Sequence, residues 1–319
     1  MSPGEREPQF GYEDHFTPAR TRKKRKNRPP ADSPSPTALL DRASEELART
    51  GWLRDTKQAL RESVEEAFAF NSGVAPDVLC LGLGSPSSSR DARAQLAFLL
   101  AVCDDLRIAP TNVSVFDPVF TDQDHQLLTQ LGLTELPENR MAHHRLESPT
   151  IAFMPHCDLH LYDNLFRENW SKEHLPRVLL IANRLSEYAE NIPSRKLAVE
   201  YPCVARLAPC LTARPLQPCA AFPTAFNNTA VQFVRAGALA DAERGPGPGG
   251  DDWWSLPPPP TVTAPSDHGT TTTTGKEAST TPVSKVQPQP ALPAAGSVDV
   301  SPTSAPRSAK PPMETPRSS

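Results

Sequence analysis

The chain has 319 residues, and its 37 prolines amount to more than twice the usual share of about 5%. They gather toward the two ends, so less of the length is available for a globular core than the residue count suggests. A net charge of −4 excludes an overall electrostatic pull toward nucleic acid or anionic membrane. No window approaches the roughly 20 apolar residues that span a bilayer. The N-terminus also lacks the apolar stretch of a secretory signal, so a cytoplasmic and nuclear protein is expected, with no membrane partner.

In that compartment Cys80, Cys103, Cys157, Cys203, Cys210 and Cys219 read as reduced thiols, and none forms a Cys-x-x-Cys pair. Residues 1–36 are polar and carry no apolar periodicity, which predicts a disordered basic tail. Arg20, Arg22, Lys23, Lys24, Arg25, Lys26 and Arg28 form either a solvated run or a nuclear import signal. Contact with nucleic acid would rest on this run alone and is not favoured.

The α/β domain is expected over 37–235, with N-terminal helices in 37–72 and a sheet core in 77–235. Leu39, Ala43 and Leu47, then Leu60, Val64 and Phe68, repeat at four-residue spacing around a break at Gly51. Short apolar runs then alternate with helical pattern. Val78-Leu79-Cys80-Leu81, Val113-Ser114-Val115-Phe116, Ile151-Ala152-Phe153-Met154 and Val178-Leu179-Leu180-Ile181 read as buried strands. Helices are expected over the stretch carrying Ala94 to Leu106 and around 121–131, 159–170 and 185–189. Thr229 to Val234 supplies a last strand, placed at an edge. This rhythm predicts an α/β fold: a Rossmann-like, doubly wound, mostly parallel sheet with helices on both faces, flanked by disordered tails.

Residues 236–319 read as a disordered Pro/Ser/Thr-rich tail. One island interrupts it, Trp253-Trp254-Ser255-Leu256-Pro257-Pro258-Pro259-Pro260, which is either low complexity or a polyproline-type ligand for a protein partner.

In such a sheet, ligands bind beyond the carboxyl ends of the strands. Four features fall there. Gly82, Gly84, Ser85 and Arg90 lie in the turn after the first strand, where free amides could meet an anion or where the serines simply cap a helix. The third glycine of the dinucleotide fingerprint is missing. Asp117 ends the second strand, either as a ribose-binding acid or as a helix cap. His156, Cys157 and His160 follow the third strand; the two histidines are four apart, so on one helix face they could bind haem iron or zinc. Cys157 beside a histidine is also a possible nucleophile, and local packing explains the same residues. Asn183 follows the fourth strand.

Taken in order, several words resemble the SRR-like family, named for a plant phenotype of reduced sensitivity to red light. They are Leu81-Gly82-Leu83-Gly84-Ser85, Ala94-Gln95-Leu96-Ala97-Phe98-Leu99-Leu100, Phe116-Asp117-Pro118-Val119-Phe120 and Phe153-Met154-Pro155-His156-Cys157. Leu161-Tyr162-Asp163-Asn164-Leu165, Asn169-Trp170-Ser171 and Phe226-Asn227-Asn228-Thr229 complete the set over about residues 75–235. Ala182-Asn183-Arg184-Leu185 departs from the family's Gly-Asn-Ser-Phe, which puts a ligand at that edge in doubt. The resemblance implies regulation rather than catalysis: clock input and light signalling in plants, clock-related expression and haem biosynthesis in animals. It brings no catalytic residue. A regulatory protein that binds a partner or senses a ligand such as haem or a nucleotide-like molecule is therefore the preferred reading. An enzyme using a cofactor such as S-adenosylmethionine at the Gly-rich turn is the alternative.

Overall fold

The computed structural model describes residues 34–69, 73, 75–244 and 252–258. The basic run at 20–28, Pro259, Pro260 and the Thr-rich stretch lie outside them. Helices α1 (Pro36–Ala48) and α2 (Gly51–Ala67) precede strand β1 (Asp77–Leu81). Helix α3 (Arg90–Asp105), β2 (Val113–Phe116), α4 (Asp122–Gln130), β3 (Thr134–Glu135), β4 (Thr150–Met154), α5 (Leu159–Glu168) and β5 (Val178–Asn183) continue the alternation. Three short helices, α6 (Leu185–Asn191), α7 (Ser194–Glu200) and α8 (Pro202–Leu207), lead to β6 (Leu211–Pro215), β7 (Thr229–Val234) and α9 (Ala238–Arg244).

The sheet runs β3-β2-β1-β4-β5-β7-β6. The first five strands are parallel; β7 is antiparallel to both β5 and β6. The expected α/β class holds, as a mostly parallel mixed sheet. The edge position expected for 229–234 does not: β7 pairs on both sides, and β6 takes the edge. None of the strand residues 211–215 is buried, and the strand ends in a proline, which suits an edge that needs no further donor.

Alternation along each parallel strand divides the core in two. Val78, Cys80, Ile151, Phe153, Leu179 and Ile181 face α1 to α4. Leu79, Leu81, Ala152, Met154, Leu180 and Ala182 face α5, the α6 to α8 group and Trp253. The tail boundary expected at 235 also moves. Ala238–Arg244 is helical and Trp253 is only 6% exposed, because Ala238 and Trp253 bury against the second face.

Candidate functional site

Chain order departs from β1 to β2 on one side and to β4 on the other, so the strand order reverses at β1. A crevice of about 210 Å³ opens beyond the carboxyl ends of these strands. Its floor is apolar, from Leu81, Phe116, Pro118, Met141, Ala142 and Leu161, and its polar groups are Asn139, Arg140, His144, Asp158 and His160. Gly82 lies in its wall.

The neighbourhood of Gly82 explains how β1 and β4 can end so close together. Gly82 has φ +70°, and a Cβ there would stand 2.4 Å from Cys157 Sγ. Cys157 is buried and its thiol donates to the Leu81 carbonyl at 3.4 Å. Burial, with Asp117 and Asp158 adding to it, pushes the thiol pKa up to about 12, which favours the protonated thiol at neutral pH and speaks against a nucleophile.

The Gly-rich turn spends its donors on the chain itself. The Gly84 amide donates to Asp117 Oδ2 at 2.8 Å, and Val119 donates to Asp117 Oδ1 at 3.0 Å. Ser85 Oγ and the Ser87 amide donate to the two oxygens of Asp124 at 2.7 Å each. Asp124 also receives the Thr121 amide and hydroxyl, closing the cap of α4. Burial raises its pKa, but the hydrogen bonds from Ser85, Thr121 and Ser87 outweigh it and hold the carboxyl below the ordinary range. Asp117 is thus a turn brace. Ser89 caps α3 by accepting from the Ala92 amide. A nucleotide phosphate at this turn would have to displace two internal carboxylates.

Other expected site residues lie apart from the crevice. Arg90 donates to Glu46 and to the Ala221 carbonyl, with its guanidinium over Phe222. Asn183 donates to the Tyr188 hydroxyl at 2.9 Å, and its backbone carbonyl is held by Gln232. The divergent turn after β5 is packed shut, with Ala182 fully buried and Arg184 paired to Glu187. His156 takes φ +54° and places its Nε2 3.2 Å from the Ala225 carbonyl, whereas His160 lines the crevice. They share no helix face because α5 begins only at Leu159. Among the described residues no three His, Cys, Asp or Glu side chains gather as a metal site, and His156, Cys157 and His160 are not brought together as one.

The residues missed in the sequence come from the connection 136–149 between β3 and β4. Its 14 residues exceed the usual two to six of an α/β loop, a signal that it covers something. Met141 and Ala142 both adopt left-handed backbone, φ +49° and +63°, a conformation that non-glycine residues enter at a cost and that clusters at ligand sites. Three side chains hold the loop there. Asn139 accepts from the Met141 amide, and Asn164 donates to the Met141 carbonyl at 2.9 Å. Asn169, 1% exposed, accepts from the Leu146 amide and donates to the carbonyls of His144 and Leu165, all at 2.8 Å. Burial, then Arg140 and His143, lower the His144 pKa against the opposing pull of Glu168, which favours a neutral imidazole in the crevice. A volume of about 210 Å³ is below the roughly 300–1,000 Å³ of pockets for drug-sized ligands. The crevice therefore suits a small molecule with one apolar face and a polar rim.

A family model described as the SRR1 domain matches residues 57–233. The chain is similar to the SRR1-like protein of Mus musculus, 37% identical over 131 residues, which covers 41% of this chain and 53% of that protein. It is similar to Protein SENSITIVITY TO RED LIGHT REDUCED 1 of Arabidopsis thaliana, 33% identical over 111 residues, 35% of this chain and 40% of that one. The SRR1-like protein of Drosophila melanogaster is 33% identical over 106 residues, 33% and 38% of the two chains. The matched stretches thus span about half or less of these relatives' own lengths. No solved structure matches the chain.

Proposed function

The chain belongs to the SRR1 domain family, and from that premise we propose that it is a regulatory protein whose α/β domain senses a small ligand in the crevice at the β1 switch point. The observation that carries this reading is the 136–149 loop, held over the crevice by Asn164 and Asn169 with two consecutive residues in left-handed backbone. The processes it serves are clock-related expression and regulation of haem biosynthesis, in cytoplasm and nucleus. Family membership and the light response in the name of the Arabidopsis relative support a regulatory role. Haem acts in this reading as a regulated product and not as an occupant, since the crevice is too small to enclose it. The commitment of Gly84, Ser85 and Ser87 to internal carboxylates speaks against a cofactor-dependent enzyme at the Gly-rich turn.

Thermal unfolding of the full chain with phosphate, ATP, NAD, S-adenosylmethionine and haemin tests the sensor. A ligand at 100 times its Kd stabilises by about 2.7 kcal/mol, a Tm shift of roughly 5–10 °C for a domain of this size. The expected result is a shift with a small ligand that His144→Ala removes. Shifts that survive His144→Ala, or none with any probe, overturn ligand sensing at this crevice.

A further inference from the structure

Residues 252–258 lie on the chain's own surface in a manner that reads as peptide recognition. The Trp253 ring stacks on Trp170 with centroids 4.6 Å apart and planes 22° from parallel, and Trp254 sets its edge against Trp253 at 4.6 Å. Lys172 Nζ stands 5.9 Å from the Trp254 ring centroid. The backbone is held by two guanidinium groups. Arg206 donates to the carbonyls of Trp253 and Ser255 at 2.7 and 2.8 Å, and Arg167 donates to that of Pro257 at 2.7 Å. Aromatic anchors flanked by arginine are the composition of binding hot spots. Donors aimed at main-chain carbonyls, with a pocket for a large side chain, are how grooves read an extended proline-flanked segment.

The fit is imperfect in a telling way. Among the described residues Trp170 Nε1, Trp254 Nε1 and Arg167 Nη2 are buried without a hydrogen-bond partner, the last only approaching Asp163 Oδ2 at 3.6 Å. Each orphaned donor has given up water without a replacement, which subtracts from what ring burial contributes. What compensates is the tether: only seven residues, 245–251, separate α9 from Asp252, and a short connection acts as a high local concentration.

We propose that Arg167, Trp170 and Arg206 form a peptide-binding groove and that residues 252–258 occupy it as a displaceable ligand in cis. The occupant is this chain's own segment. A partner competes for the groove when it carries a tryptophan pair followed by a leucine-proline step. This proposal does not rest on the crevice.

The test uses the full chain and a fluorescent peptide of residues 250–260, read by anisotropy. Replacing both rings in the chain (Trp253→Ala with Trp254→Ala) vacates the groove. The vacated chain is expected to bind the peptide at least tenfold more tightly than the wild type. Adding Arg206→Ala to it is expected to lose tenfold or more. A folded vacated chain that binds no peptide, or binds it no better than wild type, overturns the proposal. Should the double variant fail to fold, hydrogen exchange on the wild type decides. Exchange at the amides of Trp254 and Ser255 is expected to rise with added unlabelled peptide, and no change up to millimolar peptide overturns the proposal.

Discussion

Gly82 and Cys157 meet where β1 and β4 end: the sulfur lies 2.4 Å from where any side chain on Gly82 would begin. The glycine is needed for this close approach and for its φ of +70°, whatever its place in a phosphate-loop pattern. Gly82→Ala is expected to destabilise the domain by roughly 3 kcal/mol, from overpacking plus left-handed strain. In a Cys157→Ala background only the strain remains, about 1–2 kcal/mol. Urea unfolding of the four chains gives the coupling, and equal costs in both backgrounds would contradict the contact.

Asn169 spends both ends of its amide on the loop over the crevice and on α5. Asn169→Leu orphans the Leu146 amide and the His144 carbonyl, at about 1–3 kcal/mol each. The loss is expected to appear locally, as faster hydrogen exchange across 140–146 while β1, β4 and β5 stay protected. Uniform loss of protection would mean that Asn169 supports the whole domain instead.

The lowered pKa of His144 gives stability a pH dependence with a definite sign. Between the folded pKa and the unfolded value of about 6.5, the unfolded chain binds the proton and the folded one does not. Stability therefore rises with pH through that window, is complete above it and falls as pH drops below about 6.5. His144→Gln is expected to flatten this part of the profile measured by denaturant midpoint, and an unchanged slope would assign it to another group.

Cys157 should be chemically silent. A thiol pushed up to about 12 and buried is expected to react with iodoacetamide at pH 8 on the order of a thousandfold slower than a free cysteine. Peptide mapping after alkylation reads this directly, with full labelling appearing once denaturant is added. Rapid labelling of the native protein would reopen the nucleophile reading.

The strands that could be read from the chain are those buried on both faces, because β1, β4 and β5 are continuous apolar runs. β3 has two exposed residues, and β6 carries Thr212, Arg214 and Pro215, so neither leaves an apolar trace. At the site, Gly82 and His160 were legible by position alone. Arg140 and His144 were not, since the backbone that presents them is bent at Met141 and Ala142, which carry none of the usual glycine or asparagine signal. The bend is fixed from Asn164 and Asn169, more than twenty residues further on. Trp253 and Trp254 read in sequence as either low complexity or a ligand for a protein partner, and nothing in the sequence indicated that both rings would pack on Trp170 of the same chain.

Helix α5 is ten residues long, about 15 Å. Its first turn contributes His160 and Leu161 to the crevice, and its last turn contributes Arg167 to the surface that holds Pro257. The proposed crevice and the proposed groove are therefore joined by one helix, and a displacement of that helix along its axis would be felt at both. Two occupants that prefer different settings of the same helix must alter each other's affinity by the same factor.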